Sequence, residues 1–133
     1  MRVYMLDTNI CIYVIKNRPE SAVHRFLECA AGDICISSVT YAELMHGVEK
    51  SKAREKNLLA LTLFLSAITI LDFDSHAAEE YGKIRAFLEK KGKPIGPMDM
   101  LIAAHAKSED LILVTNNTGE FDRVPGLKLE NWV

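Results

Sequence analysis

The chain has 133 residues, 49% of them hydrophobic and 26% charged, with a formal charge of −2 at neutral pH. That balance fits one globular domain over residues 1–133 and excludes a disordered or collagen-like chain. The longest apolar run, 10–15, falls far short of the roughly 20 residues that span a bilayer. Asp7 also interrupts any leader-like start. A cytoplasmic protein with no membrane partner is expected.

Cys11, Cys29 and Cys35 show no CxxC spacing and sit among apolar residues, which predicts reduced, buried thiols. The net charge neither demands nor forbids a nucleic-acid partner. Basic residues bunch at Lys50, Lys52, Arg54 and Lys56, and again at Lys83, Arg85, Lys90, Lys91 and Lys93. Such runs are ordinarily solvated helix faces.

In chain order, a short apolar strand over 3–6 ends at Asp7, Thr8 and Asn9, and a helix is assigned to 10–16. Pro19 and Glu20 start a helix that runs to about residue 31, and Gly32 and Asp33 turn the chain into strand 34–37. Thr40 opens a helix to Lys50, a second covers 53–67, and 69–71 is a strand. Asp74 and Ser75 are cap candidates for a helix over 76–91 that stops at Gly92. A rigid loop over 92–97 precedes a helix over 98–107, with Pro97 in its first turn. Strand 111–115, a turn over 116–119 and strand 127–129 complete the pattern.

Apolar strands alternating with helices predict a three-layer α/β/α domain around a mostly parallel sheet of about five strands. Ligand sites in such sheets lie at the carboxyl edge. Asp7 ends the first strand, Glu43 follows the second, and Asn116, Asn117 and Glu120 follow the fourth. Asp99 begins the helix that feeds the fourth strand, so the topology brings it to the same edge. Each acid also has a plainer role. Thr40 and Glu43 fit a capping box, Asp7 fits a helix cap, and Asp99 complements a helix dipole. Helical phase turns Glu43 away from the stripe of Tyr41, Leu44, Met45 and Val48, toward solvent or a cleft. Asp99 shares its face with Ile102, Ala103 and Ala106 on a helix that is apolar nearly all round, so its carboxylate is expected to be partly buried. Such a group needs a cation, donors or a metal. Clustered hard oxygen donors suit Mg²⁺ or Mn²⁺, whereas His24, His46, His76 and His105 form no ligand pair and read as core or surface residues.

The segments Met5-Leu6-Asp7-Thr8-Asn9, Ser37 to Leu44, Gly96 to Ala106, and Val114-Thr115-Asn116-Asn117 with Glu120-Phe121 together resemble PIN-domain ribonucleases. The closing Val124-Pro125-Gly126-Leu127 and Glu130-Asn131-Trp132 resemble the VapC toxins of toxin-antitoxin pairs, in particular the enteric type. The resemblance implies that Asp7, Glu43 and Asp99 are catalytic metal-binding acids. It implies hydrogen-bonding roles for Asn9 and Thr115, with Asn116 beside them as a further supporting polar residue. Many members carry Asp where this chain has Asn117, which leaves Asn117 or Glu120 as the fourth ligand. It further implies cleavage of RNA, with initiator tRNA cut at the anticodon loop and translation thereby inhibited. A VapB-type antitoxin and a homodimer are the implied partners.

Water activated at carboxylate-held Mg²⁺ would hydrolyse the phosphodiester and leave a 5′-phosphate. Lys50, Lys52, Arg54, Lys83 and Arg85 are then candidate RNA contacts on the rim. Two alternatives compete with this reading. A haloacid-dehalogenase-like phosphohydrolase also places Asp after its first strand, but its second Asp is here Asn9. A non-catalytic RNA- or peptide-binding module would have no need of the Asp7, Glu43, Asp99 set.

Overall fold

The computed structural model describes residues 2–30 and 32–133. Its elements in chain order are β1 (Tyr4–Leu6), α1 (Thr8–Ile15), α2 (Glu20–Glu28), β2 (Ile34–Ser37), α3 (Ser38–Lys50) and α4 (Arg54–Leu65). They continue with β3 (Thr69–Leu71), α5 (Ser75–Lys91), α6 (Pro97–Ser108), β4 (Ile112–Val114), α7 (Thr118–Phe121) and β5 (Lys128–Glu130). The strands form one five-stranded sheet in the order β3-β2-β1-β4-β5, parallel throughout. The predicted three-layer architecture is therefore observed.

Alternation along the strands divides the core between the two faces of the sheet. Met5, Cys35 and Leu113 enter one cluster with Ile84 and Leu88 of α5 and Ile102 of α6. Leu6, Ile34, Ile36 and Val114 enter the other with Ile10, Leu44, Val48 and Leu61 from α1, α3 and α4. A parallel sheet covered on both faces has near-continuous apolar strands, which is why they were readable. Trp132 closes the second cluster, edge-on to Tyr4 with ring centroids 5.3 Å apart. Its Nε1 donates to Glu130 at 2.8 Å.

Several helix boundaries differ from the sequence pattern because polar side chains cap earlier than apolar periodicity begins. Helix α1 starts at Thr8, two residues before the expected 10, since Asp7 caps it by accepting from the Ile10 amide at 2.9 Å. Helix α3 starts at Ser38 with Ser37 as its cap, accepting from Val39 N at 3.1 Å. The Thr40–Glu43 capping box is thereby excluded: Thr40 is buried inside the helix, and Glu43 stands beyond the first turn. Helix α2 ends at Glu28, and the expected end at residue 31 lies outside the described residues. The expected turn over 116–119 becomes the short helix α7, and the last strand shifts by one residue to Lys128–Glu130. Asp74 caps α5 as expected, through Ala77 N at 3.0 Å. Cys11 and Cys35 are buried and Cys29 half-buried, all as free thiols. Burial pushes all three thiols up, Cys35 to about 12.

One buried polar contact ties the layers together. His105 on α6 is fully buried, its Nδ1 pairs with Ser37 Oγ at 2.7 Å, and Phe73 meets its ring edge-on at 5.5 Å. Ser38 Oγ accepts from the Phe73 amide at 3.0 Å. The start of α3, the end of β3 and the body of α6 are thus held in one register.

Two glycines of α5 should respond to alanine with opposite signs. Gly92 ends the helix at φ 67°, a left-handed conformation, so Gly92→Ala is expected to destabilise by about 1 kcal/mol. Gly82 lies inside the helix with nothing within 4 Å of an added Cβ, so Gly82→Ala is expected to stabilise by roughly 0.5–1 kcal/mol. Urea denaturation of both variants checks this, and a common sign would contradict the helix boundary.

Candidate active site

The carboxyl ends of β1, β2 and β4 and the amino end of α6 meet at one edge of the sheet. Asp7 follows β1 directly, and its amide donates to Val114 O at 3.0 Å, which fixes it against β4. Only 4% of the residue is exposed. Burial raises its carboxyl above the usual range, opposed by hydrogen bonds from the Thr115 side chain and the Ile10 and Asn9 backbones; the Glu43 charge adds to the rise. Glu43 projects from α3 into the cleft, and Thr8 Oγ1 donates to its Oε1 at 2.5 Å.

Asp99 lies in the first turn of α6, after Gly96 at the cap and Pro97. Its carboxyl is pushed up to about 7, first by burial, then by the hydrogen bond to Glu120, then by the charges of Glu120, Asp7 and Glu43. Glu120 on α7 accepts from Gly96 N at 3.0 Å through Oε1 and from Asn117 Nδ2 through Oε2. Burial pulls Glu120 upward, but the bonds from Gly96, Asp99 and Asn117 and the Arg123 charge outweigh it and hold its carboxyl below the usual range. The contact between Asp99 and Glu120 thus raises the one carboxyl and lowers the other.

Four acids from α1's cap, α3, α6 and α7 thus sit within electrostatic reach of one another. Among the described residues no three His, Cys, Asp or Glu side chains already stand as a ligand set for a metal ion. The donor chemistry nevertheless fits a hard divalent cation: every candidate ligand is a carboxylate oxygen, and repulsion among them is what such an ion relieves. Gly96 borders the acids: an added Cβ would sit at ordinary contact distance, 3.5 Å from Asp99 Oδ2 and 3.8 Å from Glu120 Oε1.

Supporting residues are distributed less evenly than expected. Buried Thr115 bonds Asp7 and also accepts from Asn117 N at 2.9 Å. Asn9 is exposed and serves Asp7 through its backbone rather than its side chain. Asn116 turns from the acids to Tyr13 and Asn131, at 3.4 Å each. Asn117 reaches the acids through Glu120. Thr8 and Gly96 were not anticipated; the hydroxyl directly after Asp7 and the glycine three residues before Asp99 were the available signals. Of the basic rim, Arg54 is paired with Glu49 and Glu55, Arg85 with Glu89, and Lys83 with Glu80. Lys50 and Lys52 are exposed. An apolar hollow of about 340 Å³ begins at Glu43 and runs between α1, α3 and α4 past Ile12, Ile15, Val48 and Leu61.

Comparison with known proteins bears on the family and the fold. The family profile described as PIN domain matches residues 4–127. The chain is 53% identical over 132 residues to a tRNA(fMet)-specific endonuclease VapC of Shigella flexneri, covering 99% of each chain. It is 54% identical over 133 residues to ribonuclease VapC2 of Haemophilus influenzae, covering 100% of each. Among solved structures, DNA-bound VapBC of Salmonella typhimurium superposes with a TM-score of 0.94 at 49% identity, covering 100% of each chain.

Because folded Asp99 holds its proton to about pH 7 while its unfolded value is 3.8, the unfolded state binds fewer protons across that window. Metal-free protein is therefore expected to lose stability as pH rises from about 4 to 7, and Asp99→Asn to lose less. Saturating Mg²⁺ should offset the loss, since it binds the ionised carboxylates. Urea midpoints across this range, in EDTA and in Mg²⁺, check both; an identical slope in parent and Asp99→Asn would remove Asp99 as its source.

Proposed function

This chain belongs to the PIN-domain family and, within it, to the VapC ribonucleases, and from that premise we propose that residues 1–133 form a single PIN unit acting as the endoribonuclease toxin of a VapBC pair. The observation that carries this reading is the meeting of Asp7, Glu43, Asp99 and Glu120 at the carboxyl edge. The proposed substrate is initiator tRNA, cut in the anticodon loop, because relatives at 53% and 49% identity are tRNA(fMet)-specific endonucleases. Loss of that tRNA would stop translation. PIN ribonucleases depend on divalent metals, and we assign Mg²⁺ here, with Mn²⁺ as a substitute.

Bound at the acids, the cation would stabilise charge on the phosphate and lower the pKa of a water. Asp7, held by the cap bond to its Oδ1 and by Thr115, would ligate the cation through its carboxylate. Asp99, its carboxyl raised to about 7 by burial and its acidic neighbours, would hold the cation in its ionised form. Glu43 is anchored through Oε1 by Thr8, which leaves Oε2 to orient the attacking water. Glu120, rather than Asn117, serves as the fourth acid, with Asn117 and Gly96 holding it in place. The product carries a 5′-phosphate. Against a phosphohydrolase of the haloacid-dehalogenase type stands Asn9, exposed and neutral where that chemistry needs an acid. Against a purely non-catalytic module stands the repulsion retained among Asp7, Glu43 and Asp99, which binding alone would not require.

Relatives from Salmonella typhimurium and Rickettsia felis were solved as VapBC complexes bound to DNA, the latter from their own promoter. A VapB-type antitoxin and a toxin homodimer are the corresponding partners here, and the apolar hollow ending at Glu43 suits an antitoxin segment that covers the acids. Among the described residues no helix is long and apolar enough to cross a membrane; with tRNA as substrate, the cytoplasm is the proposed compartment.

Purified protein is expected to cleave total RNA in Mg²⁺ or Mn²⁺, poorly in Ca²⁺ and not in EDTA; undiminished cleavage in EDTA would overturn the metal mechanism. Asp7→Asn is expected to abolish cleavage while leaving the metal-free protein as stable or more so, because Asn still caps α1 and removes a buried charge. A melting temperature well below the parent's would instead make Asp7 mainly structural.

Glu120→Gln is expected to raise the Mg²⁺ needed for half-maximal cleavage. Asn117→Asp should lower metal-free stability by setting a second charge against Glu120, with Mg²⁺ restoring it. Cleavage titrations and thermal melts of the two variants separate the roles, and an unchanged Mg²⁺ requirement in Glu120→Gln would exclude Glu120 as a ligand.

A further inference from the structure

Beside the acidic edge, one surface joins an exposed aromatic ring to three cations that form no ion pair among the described residues. Phe87 on α5 is 39% exposed, and with Leu88, Lys91, Lys93 and Arg123 it lines a hollow of about 240 Å³. Lys91 Nζ lies 5.6 Å from the centre of the Phe87 ring. Among the described residues Lys91, Lys93 and Arg123 make no ion pair, unlike Arg54, Arg85 and Lys83. A Phe–Lys pair four residues apart is ordinary on a helix. Lys93 and Arg123 arrive from a loop and from beyond α7, however, and contribute nothing to that helix.

The hollow adjoins the acidic edge. Arg123 donates to Pro94 O at 3.1 Å, and its charge helps to lower Glu120. Gly96, two residues further along the same loop, donates to that same Glu120. Loop 93–96 is therefore a wall common to both sites.

We propose that this hollow is a subsite for single-stranded RNA, in which an unstacked base next to the cleaved segment stacks on Phe87 and the adjoining phosphates are met by Lys91, Lys93 and Arg123. The inference rests on the ribonuclease reading and specifies how that site holds its substrate. A single strand alternates π faces with phosphates at every nucleotide, matching a ring flanked by free cations; a duplex keeps its bases inside the stack. Lys91 covers the ring when RNA is absent, and its flexible stem lets the ammonium swing to a phosphate as a base takes its place.

The test uses the full chain carrying Asp7→Asn, in Mg²⁺, with a short oligoadenylate and an abasic oligonucleotide of equal length as probes. Phe87→Ala and Phe87→Leu are each expected to weaken oligoadenylate binding by roughly tenfold, leaving the abasic probe unaffected. Lys91→Gln with Lys93→Gln is expected to lower the salt slope of binding by about 1.4, for both probes. Lys128→Gln, at the opposite edge of the sheet, controls for net charge. In otherwise unmodified protein, Phe87→Leu should raise KM for RNA without lowering kcat. If the parent binds and cleaves RNA while the Phe87 and Lys variants match it, the subsite is overturned and the ribonuclease reading stands. A parent that neither binds nor cleaves overturns both. A dimer that dissociates in Phe87→Leu, with oligoadenylate affinity unchanged, would reassign the hollow to self-association.

Discussion

Negative charges brought together in a half-buried cleft repel, and the arrangement of this protein's functional edge follows from how that repulsion is contained. Asp7 is given three hydrogen bonds, Glu43 the Thr8 hydroxyl, and Glu120 the Gly96 amide and the Asn117 side chain. Asp99 has no comparable set, and burial together with its acidic neighbours raises its carboxyl to about 7. A divalent cation held among these acids would relieve the same repulsion.

Holding acids so close demands a stiff support. The all-parallel sheet supplies it, since its strands are buried on both faces and each carboxyl end is tied to the next by ladder bonds. The His105–Ser37 contact extends that stiffness into the helices. It joins α6, which carries Asp99, to the cap of α3, which carries Glu43. Asp7 likewise acts twice, as the cap of α1 and as the most deeply buried of the acids.

A nearly neutral protein that acts on a polyanion cannot rely on bulk attraction. What decides is which cations remain free. Arg54 and Arg85, prominent in sequence, are held by neighbouring glutamates, whereas among the described residues Lys91, Lys93 and Arg123 form no ion pair.

The sequence by itself determined the fold and the main acids. Short, mainly apolar strands alternate with helices, and parallel topology then sends Asp7, Glu43 and Asp99 to one edge. Those are consequences of local pattern and connectivity. Only the tertiary structure decided which polar groups serve the acids, because a hydrogen bond between residues 35 apart, such as Thr8 to Glu43, leaves no periodic trace. The same holds for Ser37 displacing the expected Thr40 cap, for Glu120 rather than Asn117 facing Asp99, and for the pairing that silences some cations and spares others. Each depends on side-chain directions across different elements, fixed only when the layers pack.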